Sequence, residues 1–437
     1  MVDFRGAIQK FKNAKVVVIG DIMLDRYTYG DVERVSPEAS VPVVLKVSEK
    51  FTLGGAGNVA DNLVALGADV ELAGVVGKDE AGELVMKLLK EKGIGAAAVV
   101  MLPHRPTIEK HRIVASGNHQ LLRLDRESKD PMSPEEEDRG YRLLEPAVRR
   151  CDAVIFSDYG KGFFSERFAR KIVARAKSER KLMLADFNTA KHKKYFIGVD
   201  VVTPNLKEAR EFTGLHAVEE IGPQLVSDFG AHVVLTRGGE GMSLFRREDA
   251  SHHHTPGKKV SVFDVSGAGD TSISVLALGM AAGGLDIADA VALANEASAL
   301  VVQKPGTAAI SPEELASVVR GDNHLENVAR VPKVWGYEQW LENNEKYCCK
   351  VLALNKGYQC SLHYHKKKDE TFLVTAGHVR LELGDEVLHL RPGTFVRVPP
   401  NTRHRFAGIE DSAIIEVSTH HDEADSFRIE ESRKMDA

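Results

Sequence analysis

Residues 264–271 read Asp-Val-Ser-Gly-Ala-Gly-Asp-Thr, and these types in this order suit phosphoryl chemistry. The two glycines, Gly267 and Gly269, let the backbone turn tightly and, with Ala268 between them, leave N–H groups unobstructed. The apolar run Ile273, Val275, Leu276 and Leu278 follows, so the loop opens a helix. Bare N–H groups at a helix N-terminus, backed by the helix dipole, make an anion site. A carboxylate placed there would repel a phosphate. Asp270 makes sense as a base that takes a proton from a hydroxyl as that oxygen attacks a phosphoryl group. The same octapeptide also reads as a glycine turn in which Asp270 only caps the helix.

Residues 53–58 read Leu-Gly-Gly-Ala-Gly-Asn and precede a helix with Val59, Leu63 and Leu66 on one face. This pair of loops resembles the signature of the ribokinase-like (phosphofructokinase-B type) sugar kinases. The resemblance implies an α/β fold, a mainly parallel sheet flanked by helices with a small β lid, and ATP as phosphoryl donor. It implies that Gly54 and Gly55 hold the sugar, and that Gly267, Ala268 and Gly269 form the anion hole beside the catalytic Asp270. Asp21 and Asp25, at the end of the first strand, match acidic residues that bind sugar hydroxyls, although a capped turn would use the same types. Asn58 is expected to contact a hydroxyl. Asn205 and Glu208 match an Asn-x-x-Glu pair that holds hydrated Mg²⁺, an ion that needs few protein ligands. Thr236 and Gly238 match the turn at the nucleotide's edge, and Asp264 opens the segment that borders a monovalent cation, K⁺, in many relatives.

A narrower resemblance concerns the substrate. Residues 33–43, 106–126 and 157–162 together resemble the kinase half of bacterial heptose-7-phosphate kinase/adenylyltransferases. This implies phosphorylation of D-glycero-β-D-manno-heptose 7-phosphate at O1, a step in lipopolysaccharide biosynthesis. A phosphorylated sugar needs cations, and Lys110, Arg112 and Arg123 fall on adjacent expected strands where they suit a phosphate clamp. Lys161 suits charge neutralisation near the transferred group. The His-x-Gly-His motif of the adenylyltransferase half does not follow residue 320, so adenylyl transfer is not expected of this chain.

The elements that must position these residues are legible as alternation. Apolar or β-branched runs at 15–19, 70–76, 153–156, 182–185, 201–203 and 232–236 read as strands, several separated by helical stretches such as the one carrying Leu84, Leu88 and Leu89. The motifs each follow a strand, where such sheets bind ligands. Ser311 opens a last helix over 311–320. The polar stretch 246–259, with His252, His253 and His254, reads as a surface loop. The expected domains are 1–320 and 335–437, joined by a linker over 321–334.

Beyond the linker the pattern becomes all β, with short strands at 351–354, 371–375, 379–383, 387–390, 395–398 and 413–417. Gly357, five residues, His363-Tyr364-His365, four residues, Glu370, six residues and Gly377 resemble the first cupin motif. Gly393, Pro399 and His404 form a looser second motif, with Asn401 where glycine is usual. Asn tolerates the left-handed conformation that glycine supplies. Alternation points His363 and His365 to one face. The resemblance implies a barrel in which His363, His365, Glu370 and His404 bind a divalent transition metal (Zn, Mn, Ni or Fe). A metal-free cupin is the alternative. Residues 334–338, 361–365 and 415–419 further resemble mannose-6-phosphate isomerase-type sugar isomerases. Lys366, Lys367, Lys368 and Arg403 are candidates for a phosphate clamp, although a lysine run in a turn is ordinarily solvated.

The net charge of −5 speaks against a nucleic-acid partner. No window has the apolar length of a membrane span. Four cysteines are too few for a disulfide framework, so a reducing cytoplasm is expected. The expected partners are a small sugar phosphate, ATP and a second copy in a homodimer.

Overall fold

The computed structural model describes residues 2–115, 119–304, 306–319 and 330–435. It divides into two units, Met1–Arg320 and Gly321–Ala437. The first is built on a nine-stranded sheet in the order His252–Pro256, Gly241–Phe245, His232–Thr236, Val201–Val202, Leu182–Phe187, Ala153–Asp158, Lys15–Gly20, Asp69–Gly77 and Gly95–Leu102. All neighbours run parallel except those that Gly241–Phe245 makes on its two sides. Strand alternation explains the two cores. Val16 and Val18 pack with helices Ala56–Ala65, Ala268–Ala281 and Ile287–Val301, whereas Val17 and Ile19 pack with Pro134–Arg150, Glu166–Ser178 and Val218–Phe229 on the other face.

From Lys15–Gly20 the chain first builds the sheet outward through Asp69–Gly77, then returns to Ala153–Asp158 on the other side. That reversal is the crevice where open α/β sheets bind ligands. A second sheet of four strands, ordered Pro42–Gly55, Ile22–Val35, Ile108–Ala115 and His119–Arg126, supplies the expected β lid.

Three expectations about the first unit need correction. Asp25 does not end the first strand; it lies inside the lid strand Ile22–Val35, paired with Thr52 and Lys110. The stretch with His252, His253 and His254 is an edge strand on Gly241–Phe245, with its histidines exposed. The last helix is shorter than expected, Pro312–Val318, closed at its start by a Ser311–Glu314 capping box. Among the described residues no helix is long and apolar enough to cross a membrane.

The second unit is all β. One sheet runs Arg330–Lys333, Gly336–Asn343, Cys348–Leu354, Ser412–Ser418, Glu370–Ala376 and Phe395–Val398; the other centres on Val379–Leu383 and His404–Gly408. Phe372, Val374, Leu381, Phe406 and Ile414 form the core shared by the two. Residues 330–333, within the span read as linker, pair with Gly336–Asn343 instead; 320–329 lie outside the described residues. Cys348 is buried and Cys349 only partly so, as alternation requires.

Gly20 marks the crevice. A Cβ there would lie 1.9 Å from the Ser157 carbonyl oxygen, a backbone atom that cannot step aside. Gly20→Ala should therefore destabilise the first unit by about 1–3 kcal/mol, the usual penalty of overpacking. Far-UV circular dichroism during urea unfolding checks this, since the described α-helices all lie in that unit. An unchanged midpoint would contradict the close approach.

Candidate functional site

Helix Ala268–Ala281 begins at Gly267, whose φ of 81° is left-handed, and no side chain caps it. Ala268 N donates to the Val265 carbonyl at 3.3 Å, while the N–H groups of Gly267 and Gly269 make no hydrogen bond among the described residues and are available to an anion. Asp270 is not a cap. Its Oδ2 accepts a hydrogen bond from Asn58 Nδ2 at 2.6 Å, and its Oδ1 accepts one from Tyr159 Oη at 3.0 Å. Burial pushes the Asp270 carboxyl up to about 6 against the opposing pull of these two donors; Asp25 adds to the rise and Lys110 subtracts from it. Asn58, expected to meet a hydroxyl, holds the Asp270 carboxylate. Thr271 Oγ1 donates to Asn62 Oδ1 at 2.8 Å, and Asn62 Nδ2 donates to the Asn58 carbonyl at 2.8 Å. The two glycine-loop helices are thus joined end to end.

Asp21 is buried. Its Oδ2 accepts from the main-chain N–H groups of Tyr159 at 2.9 Å and Lys161 at 3.1 Å, while its Oδ1 has no hydrogen-bond partner. Burial, with Asp158 adding to it, lifts the Asp21 carboxyl to about 6. Gly54 must be glycine, because a Cβ there would come within 2.5 Å of Asp25 Oδ2; at Gly55 it would meet the Asp21 carbonyl at 2.4 Å.

Most of the proposed cations are already engaged. Arg112 Nη1 donates to Asp25 Oδ1 at 2.5 Å, Arg123 grips Asp125 at 2.9 Å through two nitrogens, and Lys161 Nζ lies 2.5 Å from Glu127. Arg112 and Arg123 are register partners, as expected of adjacent strands. Lys110 differs. It forms no ion pair among the described residues, its ammonium stands 5.5 Å from the Tyr159 ring centroid, and burial pushes its pKa down.

Asn205 and Glu208 close a capping box: Glu208 N donates to Asn205 Oδ1, and Asn205 N donates to Glu208 Oε2, both at 2.9 Å. Both also line a cavity with Asp186, Thr203, Thr236 and Asp270. The Asp186 carboxylate makes no hydrogen bond among the described residues, and Thr203 Oγ1 is buried without a partner. Burial raises the Asp186 carboxyl well above its usual range, and Glu208, Asp270 and Asp158 raise it further. Acceptors this crowded fit a hydrated divalent cation. A second, more apolar cavity meets the first at Thr236 and Gly269. It is lined by Gly238, Met242, Val260, Val265 and Val302, a surface suited to a nucleobase. Asp264 fastens its rim, accepting from Ser266 N at 2.9 Å and Gly306 N at 3.1 Å. Tyr159, Asp186 and Thr203 were not expected as site residues. Tyr159 lies within the stretch 157–162 and Thr203 opens the stretch that carries Asn205 and Glu208, and all three stand at the C-terminal ends of parallel strands.

In the second unit the side-chain nitrogens of His363, His365 and His404 converge within 4.8 Å of one another. Each Nδ1 lies against a carbonyl: Ser361 at 2.9 Å, Asp425 at 2.9 Å and Thr402 at 3.1 Å. A carbonyl can only accept, so each Nδ1 carries the proton and each Nε2 offers a lone pair. Burial and the His404 imidazole push His363 down to about 3, keeping it neutral. Glu370 Oε2 faces His404 Nε2 at 3.2 Å with no hydrogen bond. Two acceptors at that distance fit a cation between them. Asn401 takes φ 63°, the left-handed value expected of it. Lys368 corrects the solvated-run reading: it is buried and bridges Glu370 at 2.7 Å and Glu416 at 2.5 Å. Arg403 stays exposed beside Asp385.

The chain was compared with known proteins. Residues 13–314 match the pfkB family carbohydrate kinase model, and 350–418 match the cupin domain model. It is similar to the bifunctional protein HldE of Desulfatibacillum aliphaticivorans, 37% identical over 355 residues, covering 80% of this chain and 71% of that one. HldE of Geobacter sulfurreducens is 41% identical over 322 residues, covering 72% and 64%. Among solved structures, the ribokinase of Arabidopsis thaliana with ribose and ATP superposes with a TM-score of 0.56 at 19% identity, over 70% of this chain and 99% of that one. Phosphofructokinase-2 of Escherichia coli with potassium gives 0.59 at 18%, over 70% and 98%.

The histidine geometry has a direct consequence. Purified protein should hold about one divalent transition-metal ion per chain by elemental analysis, and His404→Ala should lose it. Wild-type protein that takes up no metal after dialysis against Mn²⁺ or Zn²⁺ would refute the site.

Proposed function

The chain belongs to the pfkB family of carbohydrate kinases, and on that premise we propose that its first unit phosphorylates a heptose 7-phosphate at O1. The observation that carries this reading is Asp270, held by two neutral donors at the open end of helix Ala268–Ala281. Ionised above about pH 6, Asp270 takes the O1 proton as O1 attacks the γ-phosphorus of ATP. The O1–P bond forms, the bond to the β-phosphate oxygen breaks, and ADP leaves. The N–H groups of Gly267 and Gly269 stabilise the charge on the transferred group, with Ala268 between them. Asp21 Oδ1 accepts a sugar hydroxyl, and Lys110 meets the distal phosphate. Asn205, Glu208 and Asp186 surround the place for hydrated Mg²⁺, which screens the phosphate charge when bound. Asp264 borders K⁺. The HldE relatives support the heptose assignment, which places the product in lipopolysaccharide biosynthesis in the cytoplasm.

We further propose that the cupin unit isomerises the matching ketose phosphate to the aldose. A divalent metal held by His363, His365, Glu370 and His404 would polarise the open-chain carbonyl. Glu338 is the lining carboxylate least engaged by cations, with Lys333 at 3.4 Å and Lys350 at 3.9 Å, and it carries the proton between carbons.

Phosphorus NMR with Mg-ATP and Mn²⁺ tests both steps. Wild-type protein should give a bisphosphate from sedoheptulose 7-phosphate and from the aldose heptose 7-phosphate. Asp270→Asn should give none from either, with ATP binding nearly intact, and His363→Ala should retain only the aldose reaction. Substantial turnover by Asp270→Asn would overturn the kinase assignment. Bisphosphate from the aldose alone with wild-type protein would leave the cupin a binding module.

A homodimer through the lid is part of this reading. Leu45, Val47, Leu122 and Leu124, on the two outer lid strands, are 64%, 65%, 54% and 61% exposed. Sedimentation should show a dimer that Leu122→Glu with Leu124→Glu dissociates; a monomeric wild-type protein would refute it.

A further inference from the structure

We propose that Tyr159 is a positioning residue for phosphoryl transfer: its hydroxyl orients the Asp270 carboxylate, while its main-chain N–H ties that base to Asp21. The inference rests on the kinase reading of Asp270. Three observations carry it. Tyr159 Oη donates to Asp270 Oδ1 at 3.0 Å, and Tyr159 N donates to Asp21 Oδ2 at 2.9 Å. The residue is fixed by its neighbours, because it directly follows the strand Ala153–Asp158 and is followed by a left-handed Gly160, φ 66°. Its ring lies under the Lys110 ammonium at 5.5 Å, so it also spans the acceptor side.

The chemistry requires such a group. A carboxylate rotates freely about its last bond, and a base aimed wrongly loses the near-attack geometry. Asn58 fixes one oxygen only. With Tyr159 on the other, the carboxylate plane is set, and each oxygen retains a lone pair for the incoming hydroxyl. Burial, with nearby carboxylates adding to it, raises the tyrosine hydroxyl well above its usual range, so it stays a neutral donor. A neutral donor to the charged form favours that form. The charged groups facing Asp270 from its other sides are Asp25 and Lys110 from the lid and Asp186 from the sheet.

The sign follows. Removing the hydroxyl removes a contact that holds the Asp270 pKa down, so the base needs a higher pH to ionise. Tyr159→Phe keeps the main-chain N–H, so Asp21 is undisturbed. Titration of the substrates' own phosphates is common to both proteins and cancels in the comparison. At pH 7, kcat should fall about two-fold with KM for ATP unchanged, the loss of ionised base when a carboxyl titrating at about 6 rises by about one unit, and at about pH 5.5 the fall should approach ten-fold. The acid limb of kcat/KM should move up by about one pH unit, so that activity recovers toward wild type as pH rises. A pH profile that superimposes on wild type would overturn the inference, whatever the fall in kcat. Asp270→Asn, run alongside, separates the two claims. If it is inactive and the Tyr159→Phe profile is unshifted, only the role of Tyr159 fails; if it is active, the kinase reading of Asp270 fails first.

Discussion

The first unit is organised around one constraint: a carboxylate must stay ionised where water is excluded and a phosphate must approach. Burial alone drives Asp270 toward its neutral form. A salt bridge would reverse that, but a tightly paired carboxylate is a poor base. The protein uses neutral donors instead, and pairs the Arg112 guanidinium with Asp25. Other features follow from this choice. Gly267 cannot carry a side chain because a Cβ would stand 2.9 Å from Asn58 Nδ2, and Gly54 cannot because Asp25 occupies the space. The Asn58–Asn62–Thr271 chain then keeps the two helices that supply base and donor in register.

How much of this was legible in the sequence depended on range. Helices opened by glycine loops could be read because their signals lie within a few residues and their apolar faces repeat. Asp270 and the imidazoles of His363 and His365 were legible for the same reason. That Tyr159, Asp186 and Thr203 gather at one site was not. They become neighbours only through the order in which parallel strands line up, and no local pattern encodes that order. The strand His252–Pro256 was missed because an exposed edge strand needs no apolar alternation. Arg330–Lys333 was read as linker because its partner is set by the sheet rather than by its own composition.

Lys368 shows the same limit at a single residue. In sequence it is the third lysine of a turn. In the fold, the main-chain N–H groups of Lys366, Lys367 and Lys368 all donate to the Asp425 carboxylate, and the chain then turns inward. That leaves Lys368 under the cup against Glu416, which arrives from a strand far along the chain. Burying an ammonium is costly unless several acceptors surround it. Here Glu370 and Glu416 both do, and Lys350 supports Glu416 from the other side at 3.2 Å.

The two units therefore treat buried carboxylates in opposite ways, and the difference sorts them by task. Asp270 has amide and phenol donors, and its carboxyl is pushed up to about 6, within reach of a proton near neutral pH. Glu416 would also rise on burial, but the Lys350 and Lys368 ammonium groups hold it well below the usual carboxylate range, so it keeps its charge at any physiological pH. A group that must exchange a proton cannot be held as Glu416 is, and one that must remain a fixed anion beside a cation site cannot be held as Asp270 is. The charge of the partner, more than the depth of burial, decides which kind of carboxylate the fold has made.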